Sequence, residues 1–311
     1  MAYQHIRDRL DQGAVIILDG ATGTELQRRG APMDPAAWCG AATLDHHQLL
    51  TEIHLDYIRA GSDVITANTF ASSRLMLTGA GLGDRVQEIN TRAVEAALKA
   101  RELSGRKDVA VAGSLSHMVP VAVGTQVVDP TQTPSDGAIG DAFHELAQCL
   151  KSAGVDHIML EMMYHPGRIR LALKAALETG LPVWFGASAR RGKKGETLSF
   201  HHLDDLPFDV ITAEIPEKGI DVAGIMHTGS DLIPSALESI AKRFKGPLMA
   251  YPDSGYFAMP DWRFEEIVSP PDLKTFYKRW LTSGVRLIGG CCGLTVAHIE
   301  AAVEARAELA G

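Results

Sequence analysis

Cysteine is scarce in this chain, four in 311 residues, and aromatic residues make up only 6%. Cys39 and Cys149 stand alone, and Cys291 and Cys292 are neighbours. So few cannot build a disulfide framework, which points to a reducing compartment, most simply the cytoplasm. An excess of positive charge is also missing. The 30 Lys and Arg stand against 38 Asp and Glu, a formal charge of -8, which argues against a nucleic acid partner or an anionic membrane surface. No apolar run is long enough to span a bilayer. Residues 1–12 are polar and lack the apolar core of a secretion signal. A hydrophobic fraction of 46% in a chain of this length is enough for a large core.

What is present is an alternation. Short apolar, β-branched runs fall at residues 14–18, 63–67, 109–112, 156–160, 182–187, 222–226, 247–251 and 285–288. Longer amphipathic stretches follow them at 45–60, 86–103, 141–153, 167–179, 209–217, 232–244, 272–282 and 296–309. Eight strand-then-helix units with no spare strand predict an α/β fold, a single (β/α)8 TIM barrel over residues 1–311. Helix-to-strand connections are short and carry a glycine at Gly61, Gly154 and Gly284, which fits a left-handed helix stop. Strand-to-helix connections are long, at 70–85, 116–140, 188–206 and 252–271. Long loops in a compact domain are usually lids or binding loops, and these fall on the face where barrels keep their chemistry.

The residues at the carboxyl ends of the strands are Asp19, Asn68 with Thr69, Ser114, Glu161, Ser188, His227, Asp253, and Cys291 with Cys292. A closed barrel brings them to one mouth. His227, Cys291 and Cys292 together suit Zn²⁺, as three Cys and His ligands with a fourth position left open. The spacing poses an obstacle, because adjacent residues on an extended strand point to opposite sides. Both sulfurs reach one ion only if the chain leaves strand geometry, which Gly289, Gly290 and Gly293 permit. Plainer readings stand beside these. The cysteines can be two small buried hydrophobes, Asp19 a cap for the turn at residues 21–24, and Glu161 the partner of a basic residue such as Arg168 or Arg190.

Several stretches resemble the homocysteine S-methyltransferase family, which includes S-methylmethionine and betaine methyltransferases. They are Leu18-Asp19-Gly20-Ala21-Thr22-Gly23-Thr24-Glu25-Leu26 with Arg29-Gly30, Asp34-Pro35 with Trp38, and Ala60-Gly61-Ser62-Asp63 leading to Thr66-Ala67-Asn68-Thr69-Phe70. Glu161, Tyr251-Pro252-Asp253-Ser254-Gly255 and Gly289-Gly290-Cys291-Cys292-Gly293 follow in the family's order. The resemblance implies a (β/α)8 barrel and a Zn²⁺ held by three cysteines that also takes the homocysteine sulfur. Two of these ligands carry over to Cys291 and Cys292. The third family cysteine ends strand six in a Gly-x-Asn-Cys motif, which here reads Gly224-Ile225-Met226-His227.

On that resemblance the expected reaction is transfer of a methyl group from a small sulfonium or quaternary ammonium donor to the homocysteine thiol, giving methionine. Glu161 and Asp19 are the catalytic candidates, with Glu161 holding the acceptor's amino group. Thr24, Glu25, Trp38, Asn68, Thr69, Ser114, Asp253 and Tyr256 are candidates for binding substrate. Trp38, Tyr256, Phe257 and Trp262 offer aromatic faces for a cationic donor. Met226 and His227 keep two alternatives open, a different thiol acceptor or a non-catalytic metal-binding homologue. The 262–271 stretch can serve a homo-oligomer contact as readily as a lid.

Overall fold

The computed structural model describes residues 2–310. Eight parallel strands form its sheet: β1 Ile16–Ile17, β2 Val64–Ala67, β3 Ala110–Ser116, β4 His157–Met163, β5 Val183–Ala187, β6 Val222–Gly229, β7 Leu248–Asp253 and β8 Leu287–Ile288. They pair in the order β1-β8-β7-β6-β5-β4-β3-β2. The remaining seam, β2 to β1, is closed by few bonds. The Asp63 amide donates to the Ile17 carbonyl at 2.7 Å, and one turn higher the Thr66 amide donates to the Asp19 carboxylate at 2.6 Å. This is the expected (β/α)8 barrel, with the final seam made partly by a side chain.

All eight expected strands are present, but several run further than their apolar runs. Continuous apolar sequence marks the part buried on both faces. At the mouth inward positions become polar while pairing continues, so β3, β4, β6 and β7 extend past the apolar runs read from the sequence. The glycine stops at Gly61, Gly154 and Gly284 have φ of 109°, 94° and 103°, as the connections required. The helix expected at 141–153 begins earlier, at Asp136, where Ser135 caps it by accepting from the Ala138 amide. The stretch expected as helical at 209–217 yields only Phe208–Thr212, ahead of Pro216.

The amino ends of the strands are covered by a helix the strand-and-helix alternation did not include, Ala2–Asp11. Arg9 binds the Asp63 carboxylate below β2 at 2.7 Å, and Arg7 binds Asp221 below β6 at 2.7 Å. Tyr3 donates to Asp221 at 2.6 Å and receives the Trp184 indole N–H at 2.9 Å. Asp63 also receives Arg306 at 2.7 Å and the Ile17 amide at 2.9 Å. With this end closed, the mouth at the carboxyl ends is the open one.

Asp63→Asn keeps the shape but leaves Arg9 and Arg306 without their counter-ion. The guanidiniums are partly exposed and relax toward water, so the expected loss is about 2 kcal/mol, below that for a fully buried pair. A lower urea midpoint at unchanged slope is the measurement; an unshifted midpoint contradicts it.

Candidate functional site

After Ile288 the chain leaves the sheet in a turn tied to three neighbours. Gly290 donates its amide to the Asp19 carbonyl at 3.1 Å, Cys291 to the Pro252 carbonyl at 2.6 Å, and Gly293 to the Thr24 hydroxyl at 3.1 Å. The Cys292 carbonyl accepts from the Ser254 amide at 3.0 Å. Gly293 has φ of 80°, and a Cβ there would stand 1.9 Å from the Ser254 carbonyl oxygen. Only glycine fits both conditions. The turn resolves the spacing obstacle, since the two sulfurs come to 3.9 Å instead of pointing apart.

His227 reaches them by a different device. The register of β6 against β7 shifts between Met226 and Gly229, and His227 has φ of 44°. The irregular backbone is held from below, where Ser188 and Thr228 hydroxyls both donate to the Met226 carbonyl at 2.9 Å. The imidazole Nδ1 then lies 3.8 Å from Cys291 Sγ and 3.5 Å from Asp253 Oδ2. One ligand atom from each of His227, Cys291 and Cys292 falls within 4.8 Å of the others. A tetrahedral ion with metal–sulfur bonds of about 2.3 Å needs its sulfurs roughly 3.8 Å apart. The observed spacing meets that need, so the residues fit a thiophilic metal ion.

The charges favour a cation. The Cys291 thiol is pushed well above its ordinary value by its bond with Cys292 and by burial. For Cys292 the bond with Cys291 pulls down, and burial with the charge of Asp253 outweighs it. Burial works against the His227 imidazolium, but Asp253, Cys291 and Glu161 more than offset this and raise its pKa. A cation at this point displaces protons from the sulfurs.

The three ligands stand at the edge of a cavity of about 950 Å³, counting its open part. Glu161, Asn68, Ser114 and Trp38 are on its wall, as are Phe257 and Trp262. Glu161 is 8% exposed, and among the described residues its carboxylate makes no ion pair with a basic side chain. Arg190 pairs with Asp205 instead, and Arg168 donates to the His117 carbonyl. Burial, with the negative charge of Asp19, pushes the Glu161 carboxyl up to about 8.

Other candidates lie behind the wall. Asp19 is fully buried and accepts from Thr66 and from the Tyr251 hydroxyl at 2.8 Å. Thr24 holds the cysteine turn, Thr69 donates to the Ser114 carbonyl at 2.8 Å, and Glu25 binds Arg29 at 2.9 Å. Asp253 faces His227, while Tyr256 is 46% exposed and donates to Glu265. The sequence reading did not single out His117, Met162, Tyr164 or Phe200, which also line the cavity. Their one signal was position, in the last residues of strand four, just beyond the ends of strands three and four, or inside the loop after strand five.

The chain is similar to known proteins over nearly its whole length. The family model described as homocysteine S-methyltransferase matches residues 16–306. The homocysteine S-methyltransferase of Escherichia coli is 28% identical, over 97% of this chain and 98% of its own length. Selenocysteine Se-methyltransferase of Brassica oleracea is 27% identical, over 94% and 88%. The fold matches crystal structures of the homocysteine methyltransferase MmuM from Escherichia coli. The oxidized form gives a TM-score of 0.73 at 25% identity, covering 97% of this chain and 99% of that one. The metallated form gives 0.72 at 24%, covering 96% and 98%. A parallel barrel with this mouth and these relatives is a methyltransferase. The chain belongs to the homocysteine S-methyltransferase family.

Gly293→Ala separates the turn from generic glycine effects. It should cost about 3 kcal/mol or more and abolish metal binding, whereas Gly30→Ala, at φ of 93° with open space around it, should cost only about 1–2 kcal/mol. Chemical denaturation and metal titration of both variants provide the check, and equal losses would contradict it.

Proposed function

We propose that this chain is a zinc-dependent S-methyltransferase that moves a methyl group from a small sulfonium or quaternary ammonium donor to the thiol of homocysteine, giving methionine. The observation that carries the reading is the meeting of His227, Cys291 and Cys292 on the wall that also holds Glu161, a buried carboxyl with no basic partner. Zn²⁺ held by these three residues would supply deprotonation of the acceptor thiol, which at pKa ~8.5 is mostly protonated at neutral pH.

The chain's own residues do the rest by placement. Glu161 takes the acceptor's ammonium group, which restores the charged form that burial disfavours. The donor arrives over Trp38, whose ring meets Phe257 edge-on at 5.3 Å and Phe70 at 5.9 Å. No Lys or Arg stands on the wall among the described residues, so no such side chain repels a cationic donor there. The acceptor's sulfur lone pair forms the new bond to the methyl carbon. The breaking C–S or C–N bond returns its electrons to the donor, which leaves neutral at that centre. Rate comes from holding sulfur and methyl in line at near-attack distance. Asp19 acts in this scheme by fixing Tyr251 and Thr66. Four thiols without a disulfide suit the reducing cytoplasm.

The test is metal analysis with a matrix of methyl donors and thiols. One zinc per chain is expected, with methionine formed from homocysteine, and Cys291→Ala or Cys292→Ala should lose both. Full turnover by metal-free protein, or homocysteine inert while another thiol accepts, would overturn the assignment. Glu161→Gln should raise KM for homocysteine roughly 10–100-fold, the worth of one charge-assisted bond. An unchanged KM removes Glu161 from acceptor binding.

A further inference from the structure

The mouth holds a carboxylate that the reaction scheme above does not use. Asp253 ends β7, and its side chain is 13% exposed. Among the described residues no Lys or Arg lies within 4 Å of it, and its one charged neighbour is the imidazole of His227 at 3.5 Å. A carboxylate so far removed from water needs a compensating charge. The contact is built by the backbone: the register shift in β6 sets Gly229 opposite Asp253 and turns His227 out between them. Phe200 and Trp262 meet the imidazole edge-on at 5.0 and 5.5 Å and limit how it can rotate.

Resting on the zinc reading, we propose that Asp253 is the positioning residue for His227. Its carboxylate keeps the Nδ1 edge of the ring turned toward Cys291 and supplies a negative charge that a cation at the site neutralises. An imidazole brings no charge of its own to a metal, unlike the two thiolates, so a nearby carboxylate restores the attraction without taking up a coordination position. Outer carboxylates usually hold the ring nitrogen opposite the metal; here Asp253 Oδ2 and Cys291 Sγ lie on the same Nδ1 edge, so the carboxylate sets the ring's rotation and adds negative charge from the ligand's own side.

The experiment measures Zn²⁺ affinity of the metal-stripped full chain by competition with a chromophoric chelator, with Co²⁺ spectra as a report on the ligand set. Asp253→Asn, close in shape, should weaken Zn²⁺ binding about 10–100-fold, and Asp253→Glu should recover part of the loss. In a His227→Cys background the same Asp253→Asn change should cost clearly less than in the parent, because no ring is left to orient and only the carboxylate's charge is lost. Affinity within threefold of the parent for Asp253→Asn, or an equal loss in both backgrounds, overturns the proposal. A parent chain that binds Zn²⁺ but transfers no methyl defeats the proposed activity and leaves this comparison standing. A parent chain that binds no Zn²⁺ defeats both.

Discussion

The Asp19 carboxylate is the tie on which the mouth depends. It accepts from the Thr66 amide of β2 and the Tyr251 hydroxyl of β7, while its own carbonyl accepts from Gly290 just before the cysteines. One residue thus closes the weakest seam of the barrel, spans its interior, and fixes where the cysteine turn begins. Burial pushes its carboxyl up to about 7 against the pull of these donors. Four strands converge on that point because their polar groups find no water there and must find each other.

Strain is concentrated on the same face. Four non-glycine residues among those described have positive φ, and three of them, Trp38, Met162 and His227, are on the cavity wall. Such conformations cost about 1–3 kcal/mol each and persist only where surrounding contacts overdetermine them. The support is visible between β4, β5 and β6. The Met162 amide donates to Met226 Sδ at 3.4 Å, and Gly186 leaves room for that thioether, since a Cβ there would stand 2.5 Å from it. The irregular backbone at Met162 is therefore packed against the one that presents His227.

Much of this was legible in the sequence, and the limits have physical causes. The eight apolar runs and their glycine stops gave the barrel because both follow from burial and backbone sterics. The cysteine turn was legible because three glycines mark a departure from strand geometry. The bulges at Met162 and His227 were not, since a register shift is decided by contacts between strands and no local residue type announces it. The helix Ala2–Asp11 was hidden by its polar composition: its buried face is Ala2, Ile6 and Leu10, and ion pairs to Asp63 and Asp221 join them. Asp19 shows the remaining ambiguity. A buried acid at a strand end looks the same in sequence whether it faces the cavity or the next strand.

The field at the mouth ties the separate features together. Glu161, Asp253 and the two thiols face or adjoin the cavity, and His227 is the one basic group among the ligands. The pKa values of Glu161, Asp253 and both cysteines are all raised, with burial a cause in each. Each cation that enters lowers the cost of ionising the groups beside it, and a metal ion and a substrate ammonium reach different members of the set. Two cations in one small cavity also repel each other, so the arrangement requires the carboxyls to stand between or beside them. Glu161 on the wall and Asp253 behind His227 occupy such separate places. On the proposed reading, this distribution of acids gives a metal ion, the acceptor's ammonium group and a positively charged donor separate places in one mouth.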